Sequence, residues 1–284
     1  MSNPRSSRER FAFQGVECNV ERLREGGGGS ALLCVHGFSG SAEDWRAFAD
    51  ALNSDVGVFA IDLPGFGESD RPRAPEPYTE EFLIALLDAA LERTPAKRLV
   101  TAGYSMGGRL ALAHALAYPD RLDGLVLIGA TPGIRDAAER EARRRADEEL
   151  ARYIESRPIE AFVERWENLP IFETRKRLPQ SEREAIRQRK LRNDPVALAR
   201  SLRGFGTGAT TPLWERLGEL SIPTALVTGA LDEKYCKINE ETLTYLAFGV
   251  RRTISDAGHA TIDEKPEATA AAVEEFLSRN EFKQ

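Results

Sequence analysis

Leu99-Val100-Thr101-Ala102-Gly103-Tyr104-Ser105-Met106-Gly107, running on as Gly108-Arg109-Leu110-Ala111-Leu112-Ala113-His114-Ala115-Leu116-Ala117, decides how this chain folds. A short apolar run meets G-x-S-x-G, and an Ala/Leu-rich stretch of high helical propensity follows. Glycine on each side lets the turn tighten without a Cβ clash, which lifts the Ser105 hydroxyl above the end of a strand. The helix predicted over Met106–Ala117 offers unpaired N–H groups where negative charge can develop. G-x-S-x-G alone is common; set between a buried strand and a helix, it points to a reactive serine.

Working outward, the same alternation recurs. Apolar runs at Leu32–Val35, Val58–Ile61, Leu122–Ile128, Thr224–Thr228 and Arg251–Ile254 read as further strands. Phe11–Phe13 and Cys18–Arg22 read as an N-terminal hairpin leading to the glycine run Gly26–Gly29, a strand connection and not a domain linker. Helices are predicted over Ala42–Leu52, Thr79–Glu92, Glu240–Leu246 and Pro266–Ser278. Strand–helix alternation of this kind predicts βαβ units and a parallel sheet. It breaks after Thr131-Pro132-Gly133, and from Arg135 to Leu217 no segment reads as a buried strand. The expected organisation is an α/β core over 1–133 and 213–284, with a helical cap inserted at 134–212 as a lid.

Composition narrows the function. The chain has 284 residues, 42% hydrophobic and 30% charged, with a net charge of −6 and a pI near 5.4. That balance predicts a globular protein and argues against a nucleic-acid binder, which needs a basic footprint. Cys18, Cys34 and Cys236 give an odd count without CxxC spacing, so neither a disulfide scaffold nor a zinc site is expected. No apolar run approaches about 18 residues, and Met1–Arg10 lacks the apolar core of a signal peptide. The expectation is a soluble cytoplasmic protein without membrane insertion. Basic residues are lopsided, seven Lys against thirty-two Arg; planar Arg forks suit carboxylates.

A serine hydroxyl needs a base, and the sequence has His36, His114 and His259. His114 lies far along the Ser105 helix, and His36 at a tight turn reads as structural. His259, after the last predicted strand, stands where the order Ser…Asp…His requires it. The acid is then Asp232, after the strand Thr224–Thr228, with Glu233 as its substitute; Asp256 and Asp263 share the histidine's own loop.

His36-Gly37-Phe38, Asp62-Leu63-Pro64-Gly65-Phe66-Gly67-Glu68-Ser69, the serine turn, Asp232 and Gly258-His259 together resemble the α/β-hydrolase superfamily, from about residue 11 to the end. The resemblance implies a mostly parallel eight-stranded sheet flanked by helices. It also implies an oxyanion hole made by the backbone amides of Phe38 and Met106. Serine in place of aspartate at 105 disfavours haloalkane dehalogenase and epoxide hydrolase chemistry.

Arg109 lies four residues beyond Ser105 on the same helix face, and a cation there points to an anionic substrate. The strings Ser105-Met106-Gly107-Gly108-Arg109, Trp166-Glu167-Asn168-Leu169-Pro170-Ile171-Phe172, Leu202-Arg203-Gly204-Phe205-Gly206-Thr207-Gly208 and Asp232-Glu233-Lys234-Tyr235 resemble the 2-succinyl-6-hydroxy-2,4-cyclohexadiene-1-carboxylate synthases of menaquinone biosynthesis. That family eliminates pyruvate from a carboxylate-rich cyclohexene. The resemblance implies Arg109, Arg143 and Arg189 as carboxylate ligands, with Arg187 and Arg192 close enough to leave the third position open. It also implies Tyr104 and Trp166 in the site wall, a small acidic substrate, and no metal or cofactor. A second histidine often found two residues after His259 in that family is Thr261 here. The expected chemistry is proton abstraction by Ser105 and His259. A carbon–carbon bond hydrolase or carboxylesterase of the same fold is the alternative, and a receptor without turnover the more distant one.

Overall fold

The computed structural model describes residues 7–27 and 29–278. Residues 1–6 of the N-terminal segment and Gly28 of the glycine run therefore lie outside the described residues. In chain order the elements are β1 (Ser7–Phe13), β2 (Val16–Arg24), β3 (Ser30–Val35), α1 (Arg46–Ala51), β4 (Val56–Asp62), α2 (Glu80–Leu91), β5 (Arg98–Tyr104), α3 (Met106–Ala117) and β6 (Gly124–Ile128). Then come α4 (Ala137–Glu155), α5 (Ile159–Glu167), α6 (Gln180–Leu191) and α7 (Pro195–Phe205), with no strand between β6 and β7 (Thr224–Gly229) among the described residues. α8 (Glu233–Leu243), β8 (Gly249–Ile254), α9 (Thr261–Glu264) and α10 (Pro266–Leu277) are the last elements of the described residues.

The eight strands form one sheet in the order β1-β2-β4-β3-β5-β6-β7-β8. β1 and β2 run antiparallel as a hairpin, β2 also meets β4 antiparallel, and every later pairing is parallel. Because strand direction alternates side chains, Leu33, Val35 and Leu127 enter one core while Leu32, Cys34 and Val126 enter the other. Both faces are covered, so β3 and β6 are buried throughout and read as continuous apolar runs. From β3 the chain passes outward to β4 and returns on the other side as β5. The strand order therefore reverses between β3 and β5, where Val35 pairs with Gly103, and open α/β sheets bind ligands at such a point.

One predicted helix is misplaced. Helix was expected from Glu240, whereas α8 begins at Glu233, because the Asp232 carboxylate accepts the Tyr235 amide (3.2 Å) and caps it.

Two of the three histidines belong to the framework. His36 Nε2 accepts the Leu63 amide (3.2 Å), so its Nδ1 carries the proton and donates to the Gly37 carbonyl (2.8 Å). His114 is buried on α3 beside Asp88. Burial is the largest influence on both imidazoles and holds each below its ordinary value of 6.5.

Two predictions follow from this framework. A Cβ on Gly107 would lie 2.2 Å from the Val35 carbonyl oxygen and 2.6 Å from that of His36. Gly107→Ala should therefore destabilise the fold by about 1–3 kcal/mol, read as a lowered denaturant midpoint. The buried histidines are neutral in the native state, while the unfolded chain takes up protons below about pH 6.5. Stability is thus greatest above that pH and falls below it, until each native imidazole also takes up its proton. His114→Gln should flatten the slope between pH 6.5 and 5.5; an unaltered slope would place the proton elsewhere.

Candidate active site

Ser105 ends β5 and begins α3 with φ 52° and ψ −107°, a backbone conformation that L-residues rarely adopt. Its neighbours explain the two glycines. A Cβ on Gly103 would strike the Gly107 carbonyl oxygen at 2.4 Å, and one on Gly107 would strike β3. The Ser105 amide donates to the Ile128 carbonyl (2.8 Å), and the amides of Gly108 and Arg109 return to the Ser105 carbonyl (3.1 and 3.2 Å). With the backbone tied down on both sides, the side chain is left at the sheet's carboxyl edge.

The loop after β8 delivers His259 there. A Cβ on Gly229 would meet the Gly258 carbonyl oxygen at 2.1 Å, and one on Gly129 would meet His259 Cε1 at 3.0 Å, so glycines let this loop lie against two strand ends. Glu264 then clamps it, accepting the amides of Gly258 (2.8 Å) and Ala260 (3.1 Å). His259 Nδ1 donates to Asp232 Oδ2 at 2.7 Å, since a carboxylate only accepts. Nε2 is thereby the acceptor, and Ser105 Oγ lies 3.1 Å from it. Ser105, His259 and Asp232 therefore form one hydrogen-bonded chain. The other acids are elsewhere: Glu233 is exposed, Asp256 is paired with Arg177 (3.0 Å) and Lys265 (3.1 Å), and Asp263 with Arg175.

Above this chain lies a cavity of about 360 Å³, within the range of roughly 300–1,000 Å³ common to small-molecule sites. Phe38, Ser105, Met106 and His259 form its core side, and α4, α5 and α7 supply the opposite wall. Met106, as the first helical residue, has no intrahelical acceptor for its amide. The Phe38 amide makes no hydrogen bond among the described residues. Trp166 packs against Phe38 (5.1 Å between ring centroids) and Phe172 (5.7 Å), and Phe172 reaches His259 (6.1 Å). These rings close the cavity over the serine.

Arg109 and Arg143 both line it. Arg109 is 9% exposed, and one Nη donates to the Phe205 carbonyl at 2.9 Å. Burial, and to a smaller degree the Arg143 charge, pull its guanidinium down to about 10. Arg143 is held by Asp147 at 2.8 Å.

Two expected site residues, a carboxylate ligand and a wall residue, lie elsewhere. Arg189 is not in the cavity; its Nε donates to Asp44 (2.8 Å), while Arg187 faces Glu167 and Arg192 faces Glu43. Residues two apart on a helix point about 200° from one another, so this cluster scatters over three surfaces. Tyr104 ends β5 and packs with Cys34, Val126 and Ile128 on the other sheet face; its ring is 5.5 Å from that of His259 but does not line the cavity. The tyrosine in the wall is Tyr235, 4.6 Å from the His259 ring. Sequence reasoning missed it, together with Lys234, Arg165, Phe162 and Phe172. Lys234 and Tyr235 stood in a recognised string, and the misplaced start of α8 hid their nearness to Asp232.

Comparison with known proteins agrees with this geometry. A family model described as alpha/beta hydrolase fold matches residues 30–266. A Bacillus subtilis (strain 168) protein provisionally named 2-succinyl-6-hydroxy-2,4-cyclohexadiene-1-carboxylate synthase is 38% identical over 87% of this chain and 90% of its own length. The synthase of that name from Serratia proteamaculans (strain 568) is 30% identical over 87% of this chain and 92% of its length. The solved structure of MenH from S. aureus superposes with a TM-score of 0.86 at 30% identity, covering 96% of this chain and 100% of that one. The chain belongs to the α/β-hydrolase fold family and, within it, to the 2-succinyl-6-hydroxy-2,4-cyclohexadiene-1-carboxylate synthases.

Proposed function

We propose that this protein is a lyase that eliminates pyruvate from 2-succinyl-5-enolpyruvyl-6-hydroxy-3-cyclohexene-1-carboxylate in menaquinone biosynthesis, acting in the cytoplasm. The observation that carries the reading is the pair Arg109 and Arg143 beside the Ser105–His259–Asp232 chain. Two like charges near one cavity wall repel, and an anionic substrate relieves the repulsion. A neutral ester would leave it in place.

In this reaction Ser105 Oγ takes the acidic ring proton as its own proton passes to His259 Nε2, and Asp232 stabilises the imidazolium. The electron pair left on the ring shifts through the conjugated system and expels the enolpyruvyl oxygen. The departing enolate gains a proton on carbon and becomes pyruvate, so no water is consumed. The Phe38 and Met106 amides meet the enolate-like charge that forms beside the ring; donors of this kind are worth about 2.7–4 kcal/mol each in acyl transfer. Residues 134–212 act as the lid that excludes water and supplies Arg143 and Trp166.

No helix among the described residues is long and apolar enough to cross a membrane. An acyl-transfer reaction would use the same serine and amides, and it differs in one observable: a burst of acyl-enzyme, which elimination lacks.

Pyruvate release from the cyclohexene substrate, followed in a coupled assay, tests the assignment directly. Ser105→Ala, His259→Ala and Asp232→Asn should each lower kcat by several orders of magnitude with the fold retained. Full activity in Asp232→Asn would move the acid's role to another carboxylate. Arg109→Met should cost about 2–5 kcal/mol, roughly thirty- to several-thousand-fold in kcat/KM for elimination. Turnover of a small neutral ester should change little in the same variant. Equal losses on both would reduce Arg109 to its bond with the Phe205 carbonyl.

A further inference from the structure

Four cationic side chains line the cavity, and three are engaged. Arg109 donates to Phe205, Arg143 pairs with Asp147, and Arg165 lies over the Tyr153 ring with 4.8 Å from its guanidinium carbon to the ring centroid. Lys234 differs. Among the described residues its ammonium has no carboxylate or carbonyl partner, and the Tyr235 ring centroid lies 5.8 Å from it. It sits in the first turn of α8, two residues after the Asp232 that caps the helix and orients His259. A cation there opposes the helix dipole, so the position offers no stability of its own. Among the described residues no ion pair holds this lysine, and it lines the cavity, where an anionic ligand would meet it.

The cations also differ in exposure. Arg109 is buried where it lines the cavity, whereas Lys234 lines it from an exposed position. A buried, tethered guanidinium fork suits a carboxylate that stays fixed through the reaction. A flexible ammonium with three rotatable donors suits one that moves. A leaving group must also reach solvent without passing the ring it has left.

We propose that Lys234 binds the carboxylate of the departing three-carbon unit, while Arg109 and Arg143 hold the carboxylates that remain on the ring. As the carbon–oxygen bond breaks, its electron pair goes to the enolpyruvyl oxygen, and the Lys234 charge, held on the adjacent carboxylate, stabilises the enolate that leaves. Protonation of that enolate on carbon gives pyruvate. This inference rests on the elimination reading above.

The test compares wild type with Lys234→Gln and Lys234→Arg, measuring kcat, KM and inhibition by added pyruvate and by the cyclohexadiene product. Lys234→Gln should weaken pyruvate inhibition by about three- to tenfold and raise KM to a similar extent, with inhibition by the ring product unchanged. Lys234→Arg should recover part of the loss. The denaturant midpoint of Lys234→Gln should hold or rise slightly, because a cation leaves a helix N-terminus. Unchanged pyruvate inhibition would overturn the proposal, and a loss confined to the ring product would reassign Lys234 to a retained carboxylate. Absence of pyruvate release by the wild-type protein would instead sink the elimination reading itself, before any variant is compared.

Discussion

The backbone contact between Gly107 of α3 and the end of β3 is what the remaining architecture depends on. With no Cβ at 107, the helix start can approach the carbonyl oxygens of Val35 and His36, a space that a Cβ would enter at 2.2 Å. That approach forces the tight reversal at Ser105 and its φ of 52°. A non-glycine residue held there costs about 1–3 kcal/mol, sustained by the buried packing of α3 and the parallel strands on either side. His36-Gly37-Phe38 leaves β3 where Gly107 meets it, so the loop after β3 and the start of α3 come together at this contact. One steric allowance thus brings the Ser105 turn against the end of β3.

A parallel sheet then gathers what sequence scatters. Phe38 follows β3, Ser105 follows β5, Asp232 follows β7 and His259 follows β8, all at carboxyl ends of strands. Glycines recur where these loops crowd: Gly129 and Gly229 let the His259 loop settle against neighbouring strand ends. Asp232 serves twice, capping α8 with one oxygen and orienting His259 with the other. A residue fixed by a helix cap is better placed for catalysis than one on a free loop, because its rotamer is already decided.

Arginine has two uses in this chain. Arg175 with Asp263, Arg189 with Asp44, Arg192 with Glu43 and Arg177 with Asp256 join the helical segment between β6 and β7 to the sheet domain. The exposed pairs contribute little, about 0–1 kcal/mol each. Arg175 and Asp263 are 12% and 7% exposed, and breaking a pair buried to that degree leaves a costly unpaired charge. Arg109, Arg143 and Arg165 line the Ser105 cavity beside these seams. An acidic protein with a net charge of −6 thereby keeps a locally cationic cavity.

The local sequence determined much of this. G-x-S-x-G between an apolar run and an Ala/Leu-rich stretch requires a strand, a turn and a helix, because chain stereochemistry allows little else. Ser105, Asp232 and His259 were placed at strand ends by the order Ser…Asp…His, and the three side chains meet within hydrogen-bonding distance. What sequence could not decide was direction. Arg187, Arg189 and Arg192 look alike in a string, yet each faces a different carboxylate, because a helix turns its residues to different surfaces. Tyr104 beside the serine stays out of the cavity, while Tyr235, from a distant part of the chain, reaches it. Strand alternation and helix phase are local, but which surface they meet depends on the packing of distant elements, and only the tertiary structure decided that.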